Sequence, residues 1–261
     1  MTDVGSSVSV DASASDHPGD RSMAATASGL TKVYGEGNTQ VVALDDVDIG
    51  FEAQKLTAIM GPSGSGKSTL LHCMAGLDTV TSGEVRIGDT LISELNDKQL
   101  TLLRRQRMGF IFQAFNLVPT LTAEENILLP LLLGDREPDA DFERKVVENL
   151  ALGDRLAHRP DELSGGQQQR VAVARALVAQ PDIIFADEPT GNLDSKSGHE
   201  VLGFLRRAVD DWHQTVVMVT HDPGAASYAD LVVFLRDGSL VGHLENPTAD
   251  LVLDQIRALE V

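Results

Sequence analysis

The stretch Gly61-Pro62-Ser63-Gly64-Ser65-Gly66-Lys67-Ser68 constrains this chain more than any other, because it fits G-x-x-x-x-G-K-[ST] between an apolar run and a helical one. Leu56 to Met60 supplies the incoming strand and Thr69 to Gly76 the outgoing helix. The glycines permit left-handed backbone and close approach, so consecutive amides can wrap an anion. The positive end of the helix dipole points to the same place. The unit reads as a phosphate-binding loop. In it the Lys67 ammonium reaches the β- and γ-phosphates as a point charge, the Ser68 hydroxyl ligates a Mg²⁺ shared with them, and Thr69 offers a hydroxyl to the α-phosphate.

A chain of 261 residues with 42% apolar side chains can build one large domain with an added lobe. No apolar run approaches the roughly 18 to 20 residues of a membrane span; the longest lie around Leu128 to Leu133 and Asp230 to Leu235. The acidic, Ser/Ala-rich beginning lacks the basic-then-apolar order of a secretory signal, so a cytoplasmic location is expected. One cysteine, Cys73, permits no internal disulfide and reads as core filler on the first helix. The balance of 21 Lys+Arg against 39 Asp+Glu, a net charge of −18, argues against a nucleic-acid partner, which demands clustered basic residues. An anionic membrane leaflet would also repel this surface, so any work at a membrane needs a protein partner.

Along the chain, Met1 to about Ala27 is dominated by Ser, Ala, Asp and Gly and is expected to be a disordered tail (1–27). Leu30 to Tyr34 and Val41 to Phe51 then alternate as antiparallel strands. Tyr34 is an aromatic that could stack on an adenine ring, although packing is the ordinary use of a strand-end tyrosine. Glu84 to Ile92 reads as a hairpin turning at Gly88-Asp89, and Leu95 to Arg107 as a helix with Arg104, Arg105 and Arg107 on a solvated face. The strand Met108 to Phe112 closes on Gln113, whose amide could ligate Mg²⁺, hold the attacking water or make a simple strand-end hydrogen bond.

Residues 114–177 read as a largely helical lobe. Thr122 and Glu125 form a capping-box pattern, and Phe142, Val146, Val147 and Leu150 are spaced as one helix face. In Leu163-Ser164-Gly165-Gly166-Gln167, ahead of a helix from Gln168 to Ala179, Ser164 caps and two glycines expose backbone amides, which reads either as a second anion site or as a plain glycine-rich helix cap. Asp182 to Glu188 is an apolar strand ending in two carboxylates, the texture of a buried parallel strand with its chemistry at the C-terminal edge. Asp187 is placed for the Mg²⁺ shell and Glu188 to polarise an attacking water. Thr215 to Thr220 is a further strand ending at His221. Asp230 to Leu235 and Leu240 to Leu244 close a hairpin around Asp237-Gly238, and residues 246–261 hold a short amphipathic helix spaced on Val252, Ile256 and Leu259.

Taken together, the phosphate loop, Gln113, Leu163 to Gln167, Asp187-Glu188, Asp194 and His221 resemble, in order and spacing, an ABC-type ATPase over about Leu30 to Leu244. Gly109 to Pro119, Leu121 to Pro130 and Pro189 to Asp194 resemble the lipoprotein-release, macrolide-export and cell-division branch. The resemblance implies an α/β fold: a P-loop NTPase core with a mainly parallel sheet, an N-terminal antiparallel β-subdomain and an inserted α-helical subdomain, within an ATPase domain at 28–245. It implies ATP and Mg²⁺ as ligands, with Tyr34 stacking on adenine, Gly61, Pro62, Ser63, Gly64, Ser65, Gly66, Lys67, Ser68 and Thr69 cradling phosphates, and Ser68, Gln113 and Asp187 around the metal. Glu188, His221 and Gln113 are the catalytic residues it implies. It also implies a homodimer sandwiching two ATP, in which Ser164, Gly165, Gly166, Gln167 and Asp194 face the nucleotide of the other copy. The implied role is an ATP-hydrolysing subunit for a separate integral membrane permease at the inner face of the plasma membrane, exporting or extracting a lipophilic or lipoprotein-like substrate. An ATP-driven switch that controls cell-wall hydrolysis through a membrane subunit is the alternative. Soluble ABC ATPases acting on DNA or ribosomes fit less well, given the acidity and the single cassette.

Overall fold

The computed structural model describes residues 22–259, without the side chain of Asn38. Strands β1 (Met23–Tyr34) and β2 (Val41–Glu52) pair antiparallel across a 3₁₀ turn at Gly37–Thr39. β3 (Leu56–Met60) enters a different sheet and passes through the glycine-rich loop into α1 (Lys67–Met74). β4 (Ser82–Ile87) and β5 (Thr90–Leu91) return to the first sheet, whose order is β2-β1-β4-β5. α2 (Asp97–Arg107), capped by Asn96 and Gln99, leads to β6 (Met108–Phe112). The inserted lobe holds α3 (Ala123–Leu133), α4 (Ala140–Asn149) and α5 (Gly165–Val178). β7 (Ile183–Asp187), α6 (Ser195–Trp212), β8 (Val216–Val219), α7 (Pro223–Ala226), β9 (Leu231–Arg236), β10 (Ser239–Glu245) and α8 (Ala249–Leu259) complete the chain.

The second sheet runs β10-β9-β3-β8-β7-β6, parallel except for the edge strand β10. Its inner strands are continuous apolar runs because both faces are covered. β8 shows the division: Val216 and Met218 pack with α5 and α6, while Val217 and Val219 pack with α1 and the antiparallel sheet. With parallel strands in register, the C-terminal ends of β3, β7 and β8 lie side by side at one edge.

Two expectations need correction. The first strand begins at Met23, so residues 23–27 are not tail: Ala25 and Ala27 are buried between β2 and β4. Backbone ladders on both edges hold this segment, and small side chains suffice there. Residues 1–21 lie outside the described residues. Nor do the arginines of α2 form a solvated face. Arg104 donates to the Gly76 carbonyl, Arg105 to that of Leu133, and Arg107 to Asp182 and the Thr90 hydroxyl. Long side chains at the C-terminal end of a helix readily find such carbonyl and carboxylate partners.

Candidate active site

Gly61 leaves β3 with φ 149°, and a Cβ there would lie 1.9 Å from the Leu235 carbonyl oxygen on β9. Gly66 has φ 99°, and its Cβ would lie 2.3 Å from the Ala43 carbonyl oxygen. No other residue fits either place, so the loop is held close against two strands. Gly66 is also the N-cap of α1 and offers no side-chain cap, which leaves the first-turn amides free of an intrahelical partner. The Ser65 hydroxyl is buried without a partner. Lys67 is only 9% exposed, and its ammonium donates to the carbonyls of Gly61 (2.9 Å) and Pro62 (2.7 Å). Burial pulls its pKa down, while Glu188 and Asp187 oppose that pull.

The end of β7 brings two carboxylates to the same edge. The Ser68 hydroxyl donates to Asp187 Oδ1 at 3.0 Å, and His72 Nε2 stands 3.6 Å from Asp187 Oδ2. The Asp187 carboxylate beside it raises the pKa of His72 against its burial. Sequence reading passed over His72, yet it lies four residues after Ser68 and so on the same helix face. Glu188 adopts a left-handed φ of 47°, donates its amide to Val219 O, and places Oε1 3.1 Å from His221 Nδ1. Gln113 donates to Asn192 Oδ1 at 3.3 Å and Asn192 donates back to the Gln113 carbonyl at 3.0 Å. Among the described residues no hydrogen bond joins Gln113 to Ser68 or Asp187. A Cβ on Gly191 would meet Gln113 Nε2 at 2.7 Å, so this glycine admits the pairing.

Others of the expected residues bond among themselves. Ser164 caps α5, accepting from the Gln167 amide at 3.3 Å while Gln167 Oε1 accepts the Ser164 amide at 2.8 Å. A Cβ on Gly166 would lie 2.7 Å from Ser197 Oγ, and that hydroxyl donates to Asp194 Oδ2 at 2.7 Å. Asp194 caps α6; the Ser197 hydroxyl and amide, with that of Lys196, hold its carboxyl below the usual range. Among the described residues, no hydrogen bond or ion pair links Ser164–Gln167 or Asp194 directly to the phosphate loop, Asp187, Glu188 or His221. Two side chains of α5 reach toward the first group. Buried Gln169 donates to the Pro189 carbonyl, and Arg175, its pKa lowered by burial, donates to the carbonyls of Phe115 and Asn116. Phe115 and Asn116 both have positive φ.

The family model for ABC transporters matches residues 44–191. The chain belongs to the ABC transporter family. An uncharacterized ABC transporter ATP-binding protein of Methanocaldococcus jannaschii, MJ1508, is 48% identical over 217 residues, covering 82% of this chain and 96% of its own. The macrolide export ATP-binding/permease protein MacB of Burkholderia thailandensis is 45% identical over 85% of this chain, which spans only 34% of MacB. Among solved structures, the ATP-binding cassette MJ0796 of M. jannaschii, a dimer in a post-hydrolysis state bound to ADP and Pi, superposes with a TM-score of 0.77. The two are 41% identical, and the match covers 85% of this chain and 98% of that one. As an ABC transporter cassette the protein is an ATPase. None of its described helices is long and apolar enough to cross a membrane.

Proposed function

We propose that this ABC ATPase hydrolyses ATP as a homodimer and thereby drives a separate membrane permease that exports or extracts a lipophilic or lipoprotein-like substrate. The observation carrying this reading is the split of the site: the uncapped start of α1 bonds Asp187 through Ser68 and Glu188 pairs with His221, while among the described residues no hydrogen bond or ion pair joins the start of α5 or Asp194 to them. A second copy, related by a two-fold axis, would bring its α5 start to the phosphates bound by the first. The dimeric MJ0796 cassette supports this arrangement, and the fusion of ATPase and permease named in MacB supports a membrane partner.

In this reading Lys67 and the free amides of α1 receive the β- and γ-phosphates. Ser68 and Asp187, a hydroxyl and a carboxylate already in contact, offer the hard oxygen donors that suit Mg²⁺ with the phosphates completing its shell. A Mg²⁺ held by these two residues would neutralise phosphate charge. Glu188 takes the proton of the attacking water, and His221, 3.1 Å from it, orients that carboxylate and faces the γ-phosphate. Separation of the products removes the anionic bridge between the copies, and the dimer loosens. A cleft of about 400 Å³ between α2, β6, α3 and α5 is lined by Phe110, Phe112, Leu129, Pro130 and Leu133, and would receive a permease helix beside Gln113.

The test is a pull-down from detergent-solubilised membranes with E188Q and ATP. Co-purification of an integral membrane subunit with a protein dimer is expected. Recovery of soluble partners alone overturns the transport reading and leaves the ATPase in place.

A further inference from the structure

Lys32 is 7% exposed, and a buried ammonium is costly unless it is paired. It stands two residues before Tyr34 on β1, hence on the same face of the strand. Its ammonium donates to Asp78 Oδ1 at 2.7 Å and to the Thr79 carbonyl at 2.6 Å, and lies 4.7 Å from the centroid of the Tyr34 ring. The other oxygen of Asp78 accepts the Tyr34 hydroxyl. Asp78 is itself fixed just beyond α1, where the Leu77 and Asp78 amides both donate to the His72 carbonyl. The ring is therefore pinned at its hydroxyl and covered on one face by a cation, while Tyr34 as a whole remains 41% exposed. Gly35, with φ 78°, turns the chain away at once; a Cβ there would lie 2.5 Å from the Thr39 carbonyl oxygen.

We infer that Lys32 and Asp78 are positioning residues for nucleotide recognition, clamping Tyr34 so that its uncovered face receives the purine ring by stacking. The inference rests on the reading of Tyr34 as the platform for the base. Protonation supports the geometry. Burial and Asp78 raise the pKa of the Tyr34 phenol, with Thr69 opposing, so the phenol keeps the proton it donates. Against its own burial, the bonds from Lys32 and Tyr34 hold Asp78 below the usual carboxylate range, so the acceptor stays charged.

The clamp acts on the base and not on the phosphates, which separates it from damage to the phosphate loop. The experiment compares equilibrium binding of MgATP with that of inorganic tripolyphosphate for the full chain and for K32M, Y34F, Y34A and K32M/Y34A. Loss of the stacking ring in Y34A should weaken ATP about 5- to 100-fold. K32M and Y34F should each weaken it about 3- to 10-fold, and tripolyphosphate less than twofold. The double variant should bind ATP no more weakly than Y34A, because Lys32 works through the ring. Equal weakening of both ligands by K32M, or a fully additive loss in the double variant, overturns the inference. Should K32M fail to fold, Y34F keeps the Lys32–Asp78 pair, and an unchanged ATP affinity in Y34F overturns the clamp. ATP bound by Y34A as tightly as by the parent overturns the platform reading itself, whatever the other variants do.

Discussion

Two helix starts in this molecule look alike in sequence and differ in what they leave open. Each carries glycine at its start, Gly66 as the cap of α1 and Gly165-Gly166 as the first turn of α5, and each presents the positive end of its dipole there. At α1 the cap is Gly66 in a left-handed conformation, no side chain satisfies the first turn, and the nearest cation is buried against the loop itself. At α5 the cap is Ser164, and its reciprocal box with Gln167 consumes two amides before any ligand arrives. The first start is unfinished within one chain and needs an anion. The second is finished as a helix end and retains only the Gly165 and Gly166 amides for a ligand. Glycine-rich helix starts are thus distinguished by who caps them.

Removing the chemistry while keeping both starts gives the largest effect. E188Q should lower hydrolysis about 10² to 10⁴-fold, the usual worth of a positioned general base, with ATP binding retained; unchanged turnover removes Glu188 from that role. The same substitution at the two starts sharpens the contrast next. G66A forces a Cβ to 2.3 Å from Ala43 O and should weaken ATP binding about 100-fold or more. G165A meets nothing nearer than 3.7 Å and should leave ATP binding by the single copy within about twofold. Titration calorimetry on dilute protein decides, and equal losses would erase the distinction.

The sheet behind the first start is tied down by Asp230, which accepts from the Leu56 amide and from Arg206. Burial works against its ionisation, but those bonds prevail and its pKa is depressed. A depressed carboxylate stabilises the fold above its unfolded pKa, and that contribution is lost as pH falls through the folded value. D230N should therefore cost about 1.5 to 3 kcal/mol at pH 7, and the gap to the parent should close below about pH 4. A gap that persists in acid would mean packing, not charge. The smallest effect belongs to the self-made cap: S164A should cost about 1 kcal/mol in denaturant unfolding, and no loss would show that Gln167 alone holds the end.

Much of this was legible because the decisive signals are local. The glycine-rich loop, the strand ending at Asp187-Glu188, the box at Thr122 and the cap at Ser164 each lie within a few residues, and the structure forms all of them. What escaped was held by distant partners. Residues 23–27 have little apolar bulk and become strand only because β2 and β4 flank them. Arg104 and Arg107 read as solvated until their carbonyl and carboxylate partners are in view. The helix α6 is a different failure. Val201, Leu202, Leu205, Ala208 and Val209 carry helical spacing and are buried, so the signal was present and went unread beside the motifs around it.

The guanidinium of Arg175 has a mechanical meaning. It grips two successive carbonyls, Phe115 and Asn116, at a bend where both residues are left-handed. A planar fork held at two points resists rotation. Helix α5 and the turn after Gln113 are therefore coupled like a crank and its connecting rod: a rotation imposed on one should turn the other with it.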